Sequence, residues 1–127
     1  MNVINIYAPN QNRLDFWHTM LDHPLVMDST IIRGDLNFSM AIEESWGHHS
    51  QIDPISDQMN TLLEKYKFID VPMNKKFPTW HNRRTGVATL GGRLNHFLLH
   101  ENLLHSLTLY RQWVGIGGPS YHSPIYL

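Results

Sequence analysis

The chain has 127 residues, of which 42% are hydrophobic and 17% charged, and its formal net charge is −1. This composition is typical of one globular domain with a moderate core, and the small net charge excludes recruitment of nucleic acid by an overall electrostatic field. The chain contains no cysteine, which excludes disulfides, thiolate zinc sites and a cysteine nucleophile.

The chain opens with a predicted strand. Residues 3–7 follow almost directly after Met1, with neither the basic stretch of a signal peptide nor the length of a membrane span. A strand that is apolar on both faces normally lies inside a sheet. We therefore expect a domain whose first strands are missing.

Two helices are predicted in the first half because apolar residues recur at helical spacing. These residues are Leu14, Trp17 and Leu21 in one helix, and Met59, Leu62, Leu63 and Tyr66 in the other. The predicted elements are, in order, a helix over 12–21, a strand at 31–32, a turn at 34–35, a surface loop over 39–52 and a helix that starts at 53–54. Aspartate followed by proline favours this last helix start.

The second half is predicted to consist mainly of strands. They cover 68–71, 78–82, 93–99, 107–114 and 125–127, with a basic loop over 82–92, a helical turn at 101–104 and a flexible loop over 115–120. Helices and strands alternate early and strands dominate late. The predicted fold class is therefore α/β or α+β in layers.

The most informative segment is Gly34-Asp35-Leu36-Asn37, which follows the apolar pair Ile31-Ile32. It is predicted to place a carboxylate and a carboxamide on one side of a turn, at the end of a buried strand. Divalent cations and phosphate esters require oxygen ligands and neutral donors held in this way. The segment at 118–124, which contains His122, is the predicted partner across the fold.

Five segments occur in an informative order along the chain. They are Asn5-Ile6-Tyr7-Ala8-Pro9-Asn10, Gly34-Asp35-Leu36-Asn37, Pro78-Thr79-Trp80, Arg93-Leu94-Asn95-His96-Phe97-Leu98 and Ser120-Tyr121-His122-Ser123-Pro124. As a set they resemble the endonuclease/exonuclease/phosphatase superfamily, most closely the endonuclease domain of plant non-LTR retroelements. The resemblance implies one N-terminally truncated domain over 1–127. It would be part of a four-layer α/β sandwich with two packed, mainly antiparallel sheets and outer helices, without the first strands.

The resemblance also implies Mg²⁺-assisted hydrolysis of a phosphodiester, with DNA as the expected partner. Tyr7 would donate to a phosphate oxygen, and Asp35 would orient or deprotonate the attacking water. Asn37 would donate to the phosphate without adding negative charge. His122 would bind a phosphate oxygen or act as a general acid or base.

Two positions depart from the family pattern. The family has aspartate where this chain has Tyr121, and a phenol is a poor Mg²⁺ ligand at neutral pH. The family also has aspartate where this chain has Asn95, which keeps the shape of the histidine's partner but not its charge. In a serine-protease triad, that change lowers turnover by roughly 10⁴. The family's metal-binding asparagine and glutamate precede the tyrosine motif, so no metal ligand is secure in this chain.

Several basic and aromatic residues have alternative interpretations. The family resemblance suggests that Trp80, Arg83 and Arg84 contact substrate, although a packing tryptophan and a solvated basic loop are the defaults. Other cations that could line a path for a phosphate backbone are Arg93, Arg111, Lys75 and Lys76. A zinc site at His96 and His100 would require a helix there, whereas the sequence predicts a strand.

The preferred hypothesis is therefore a degenerate Mg²⁺-dependent endonuclease domain of retroelement origin, weak or inactive. The alternative is a non-catalytic nucleic-acid-binding or inert remnant of such a domain.

Overall fold

The computed structural model describes residues 1–106 and 110–127. In chain order its strands are β1 (Asn2–Tyr7), β2 (Thr30–Asp35), β3 (Ser45–Gly47), β4 (Phe68–Asp70), β5 (Trp80–His81), β6 (Leu90–Gly92), β7 (Asn95–His100), β8 (Trp113–Val114) and β9 (Ile125–Tyr126). The helices are α1 (Arg13–Leu21) and α2 (Ser56–Lys65), with 3₁₀ segments at Ile42–Glu44, Gly86–Ala88 and Glu101–Ser106.

The strands form three sheets within the described residues. The largest has the order β1-β2-β7-β4, in which only β1 and β2 are parallel. A second sheet has the order β3-β6-β5, and β8 pairs with β9; both are antiparallel. The predicted class is confirmed, since this is a mixed α/β fold with mainly antiparallel sheets, although it has three sheets where two were expected.

The largest sheet is packed on both faces. One face meets α1 and α2 in a core that includes Trp17, Met59 and Leu98, all fully buried. The other face carries a smaller core that includes Phe97 and Leu99. The two helices thus cover one face, as expected for outer helices, and no helix in the described part of the chain is long and apolar enough to cross a membrane.

Two short strands were not predicted. β3 lies in the segment predicted to be a surface loop, and β6 lies in the segment predicted to be a basic loop. Each has only three residues and contains glycine, so neither shows the alternation that identifies a strand. The two pair with each other, and this long-range pairing determines their conformation. Of the strand predicted over 107–114, residues 107–109 lie outside the described residues.

The predicted turn at Gly34-Asp35 is wrong, because both residues belong to β2. The chain turns only afterwards, where Asn37 adopts a positive φ of 51°. Gly34 has φ 126°, and a Cβ there would lie 2.1 Å from the carbonyl oxygen of Ile6 on β1. Glycine is therefore required for β1 and β2 to pair closely beside Asp35.

Arg93 is buried between the sheets and is only 3% exposed. Its guanidinium donates to Glu44 at 2.7 Å and to both carboxylate oxygens of Asp70 at 2.9 and 3.1 Å. It also donates to the Val71 carbonyl and to Gln112. The suggestion that Arg93 lines a path for a phosphate backbone is therefore wrong: buried cations require partners, and these contacts occupy both of its terminal nitrogens, leaving only the buried Nε without one among the described residues.

Asp70 also contacts the fully buried His96, with Oδ1 3.1 Å from Nδ1. Burial alone would raise the pKa of Asp70, but the charge and hydrogen bond of His96, together with those of Arg93, outweigh it and hold the pKa below its ordinary value. A carboxyl group with a lowered folded-state pKa stabilises the fold above its unfolded pKa. That stability is lost as the pH falls through the folded-state pKa.

We predict that Asp70→Asn lowers the free energy of unfolding at pH 7 by about 3–5 kcal/mol, because it leaves Arg93 without its main buried counter-charge. Urea unfolding monitored by circular dichroism measures this. Below about pH 4 the difference from the unsubstituted chain should shrink. Glu64→Gln, at an exposed position of α2, is the control and should change little. A loss under 1 kcal/mol for Asp70→Asn would contradict the role given to this ion pair.

Candidate active site

A cavity of 330 Å³ lies where β1 and β2 end and β7 begins. The register brings Tyr7, Asp35 and Asn95 side by side on three neighbouring strands. His122 completes the wall from the segment near the C-terminus, and Asn5 also lines the cavity. Four of the residues singled out from the sequence therefore share one cavity: Tyr7, Asp35, Asn95 and His122.

His122 stands between Asp35 and Asn95. Its Nδ1 is 2.9 Å from Oδ1 of Asn95, and its Nε2 is 3.4 Å from Oδ2 of Asp35. Because an amide oxygen only accepts, this arrangement puts the imidazole hydrogen on Nδ1 and leaves Nε2 facing the carboxylate. The contact between Nε2 and Oδ2 is at ion-pair distance and lacks the geometry of a hydrogen bond.

Burial raises the pKa of Asp35 above its ordinary value, against the opposing effects of His122 and of the Asn37 N–H. Asp35 is 7% exposed, and its carboxylate accepts the Asn37 N–H at 3.1 Å. A carboxyl group with a raised pKa holds its proton more readily, as general acid–base chemistry near neutral pH requires.

Thr79 fixes the backbone beside Asn95 and His122. It was not singled out from the sequence as a site residue. Its buried hydroxyl accepts the backbone N–H groups of Leu94 and Asn95 at 2.9 and 3.0 Å. Its carbonyl accepts the N–H of Ser123 at 2.7 Å. One residue therefore fixes the backbone beside both Asn95 and His122.

Asn37 is not among the residues that line the cavity. Its side-chain amide donates to the carbonyl of Ala8, and its own carbonyl accepts from Arg13 at 2.7 Å. Arg13 also forms a two-fold hydrogen-bonded ion pair with Asp53, both contacts being 2.8 Å. The structure thus uses Asn37 to hold the loop after β2, and a role in phosphate binding stays a prediction.

Tyr121 and Arg83 pack against each other outside the cavity. The Arg83 guanidinium lies 5.0 Å from the centre of the Tyr121 ring and donates to the carbonyls of Gly118 and Ser120. Arg83 therefore supports the loop that leads to His122. Arg84 is exposed, its backbone N–H donates to Asn82, and it does not line the cavity.

Trp80 is half-buried and forms a backbone bridge with His122. The contact connects β5 to the segment that carries the histidine. A base-stacking role for Trp80 stays a prediction.

The two histidines considered for zinc lie on β7, as the predicted strand requires. His96 contacts Asp70 and the carbonyls of Phe38 and Arg93, and Nε2 of His100 lies 3.7 Å from Asp28. They belong to different contact networks.

The cavity residues do not fit a resident Mg²⁺ ion by themselves. Asp35 is the one carboxylate among them, and its raised pKa weakens it as a ligand. Mg²⁺ is held by carboxylates together with water and substrate phosphates. Across residues 1–106 and 110–127, no cluster of three or more His, Asp or Glu side chains could hold a metal ion.

No family model and no curated protein matches the chain. Solved structures do match. The 3′-5′ exonuclease NExo from Neisseria meningitidis superposes with a TM-score of 0.71 and 20% identity, over 97% of this chain and 59% of that one. The endonuclease domain of TRAS1, a telomere-specific non-LTR retrotransposon, superposes with a TM-score of 0.68 and 16% identity, over 94% of this chain and 51% of that one.

The chain has the endonuclease/exonuclease/phosphatase fold. A Neisseria 3′ phosphatase NExo bound to a product DNA hairpin also shares it, with a TM-score of 0.69 and 19% identity, over 97% of this chain and 58% of that one. This chain spans between 51% and 59% of the length of these three structures. The neighbours are described as an exonuclease, an endonuclease and a phosphatase, so the shared fold does not distinguish among these activities.

We predict that Asp35→Asn raises the melting temperature at pH 7. A carboxyl group with a raised folded-state pKa lowers stability once the pH exceeds that pKa, and the amide removes the charge while keeping an acceptor for the Asn37 N–H. The gain should disappear at acid pH, where Asp35 is protonated in both states. Thermal melts at about pH 2.5, below the ordinary aspartate pKa, and at pH 7 test this, and a lower melting temperature at pH 7 would contradict it.

Proposed function

We propose that this chain is an endonuclease-type phosphodiesterase domain of retroelement origin with strongly attenuated activity. The observation that carries the proposal is the placement of His122 between Asp35 and Asn95, in a cavity that Tyr7 also lines. The order of the five sequence motifs supports the retroelement origin. The TRAS1 endonuclease domain is among the structures that share the fold.

The proposed reaction is attack of water on phosphorus, with loss of one P–O ester bond. The Asp35–His122 pair takes the proton from the water and returns a proton to the leaving oxygen. The Tyr7 hydroxyl, on a side chain that is 81% exposed, donates to a non-bridging phosphate oxygen.

Attenuation follows from Asn95. When His122 takes up a proton, its ring becomes cationic, and Asn95 offers an amide dipole where a carboxylate would supply a full opposite charge. The comparable exchange in a serine-protease triad lowers turnover by roughly 10⁴. A second cause of attenuation is the single carboxylate in the cavity, because one carboxylate supplies too few ligands for a catalytic metal ion.

Binding of nucleic acid without hydrolysis is the second candidate. The hydrogen-bond donors of Tyr7 and Asn95 favour this candidate, since these uncharged side chains can contact a phosphate without supporting turnover. Salt-dependent DNA binding in a chain without any hydrolytic activity would distinguish it from the first candidate.

We predict that the purified chain with Mg²⁺ nicks supercoiled plasmid no faster than its Asp35→Ala variant, because the proton-transfer pair lacks a charged partner. Gel assays of relaxed and supercoiled plasmid measure this. If the unsubstituted chain nicks plasmid robustly and Asp35→Ala abolishes the nicking, the chain is a hydrolase and the proposed attenuation is wrong.

We predict that Asn95→Asp raises the nicking rate, by up to about 10⁴-fold, since a carboxylate stabilises the cationic ring of His122. Adding His122→Ala should abolish the gain. Asn102→Asp introduces the same charge at an exposed position after β7 and should leave the rate unchanged. If Asn95→Asp is as inactive as the unsubstituted chain, the attenuation does not come from Asn95.

A further inference from the structure

Arg33 lies on β2, two residues before Asp35, and its side chain is exposed. We infer that Arg33 is a phosphate-binding residue of the candidate site, which holds a backbone phosphate next to the one at Asp35 and His122. The inference rests on the proposed function for the identity of the ligand, a DNA backbone, and single-stranded DNA serves as the probe.

The register places Arg33 beside the cavity. Its direct neighbour on β1 is Asn5, which lines the cavity, and its neighbour on β7 is Phe97. Strand alternation puts Ile31, Arg33 and Asp35 on one face, and Ile31 belongs to the core on the side away from the helices. Residues two apart on a strand are separated by about 7 Å. Arg33 does not line the cavity itself, but its side chain is long enough to span that separation.

The site needs a cation that its own residues do not supply. The cavity is lined by the Asp35 carboxylate and otherwise by histidine and neutral groups. An anionic phosphodiester that approaches Asp35 is repelled unless a positive charge lies nearby. An arginine fork binds phosphate with two parallel hydrogen bonds.

Other arginines near the site are already engaged. Arg93 is buried in ion pairs, Arg13 is paired with Asp53, and Arg83 donates to the loop before His122. By contrast, Arg33 forms no hydrogen bond or ion pair through its guanidinium with any residue in the described ranges. Its donors are therefore available to a ligand.

The test is binding of a fluorescein-labelled single-stranded DNA oligonucleotide, followed by anisotropy over a range of NaCl concentrations without Mg²⁺. Arg33→Gln should bind about tenfold more weakly at low salt. The slope of log affinity against log salt should fall in magnitude by about 0.7, the value for one lost contact to a single-strand phosphate. Arg33→Lys keeps the charge and should retain the slope. Thermal melts check that each variant is folded.

Lys65→Gln is the matched control, because it removes the same charge from α2 on the opposite face of the sheet. It should leave the slope unchanged. The inference is overturned if Arg33→Gln keeps the original slope, if Lys65→Gln lowers it equally, or if the unsubstituted chain does not bind at low salt. Hydrolysis plays no part in this assay, so Arg33 can pass the test even if the nicking experiments reject the proposed activity.

Discussion

The rest of the structure depends on the burial of one charge, that of Arg93. Its guanidinium reaches Glu44 before β3, Asp70 on β4, and Gln112 near β8. These partners come from distant parts of the sequence. A buried cation without them would be strongly destabilising, so the segment between β6 and β7 has little freedom. Asn95 begins β7 two residues after Arg93 and is therefore placed by the same constraint.

The candidate site is built on that fixed segment. Thr79 joins it to the segment that carries His122. His122 is hydrogen-bonded to Asn95 and lies at ion-pair distance from Asp35. Gly34 allows β1 to approach β2 closely, which brings Tyr7 beside Asp35. Each member of the site is thus held by the backbone of a sheet or of a bridge.

Segments with a strong periodic pattern could be predicted from the sequence. α1, α2, β1 and β7 lie close to their predicted positions because their apolar spacing reflects burial directly. β3 and β6 could not be predicted, because three residues with a glycine carry no period and their conformation is determined by pairing. The prediction of a turn at Gly34-Asp35 was wrong for a related reason, since the glycine there allows two strands to pair closely.

The residues of the candidate site were predicted from the order of the motifs. The residues that contact and position them were not predicted. Nothing local marks Arg93 as buried, because arginine is usually exposed and its counter-charges are distant in sequence. The same limit applies to Arg83, which resembles a phosphate-binding residue in sequence but supports a loop in the structure. No sequence pattern marks Arg33 as a site residue, and only the sheet register places it beside the cavity.

The most direct test of the account is the tautomer of His122, read by long-range ¹H–¹⁵N correlation of the neutral imidazole ring. We expect Nδ1 to carry a hydrogen and to donate to Asn95, with Nε2 facing Asp35. Asn95→Ala should remove this preference. A neutral ring protonated at Nε2 in the unsubstituted chain would contradict the arrangement on which the proposed chemistry depends.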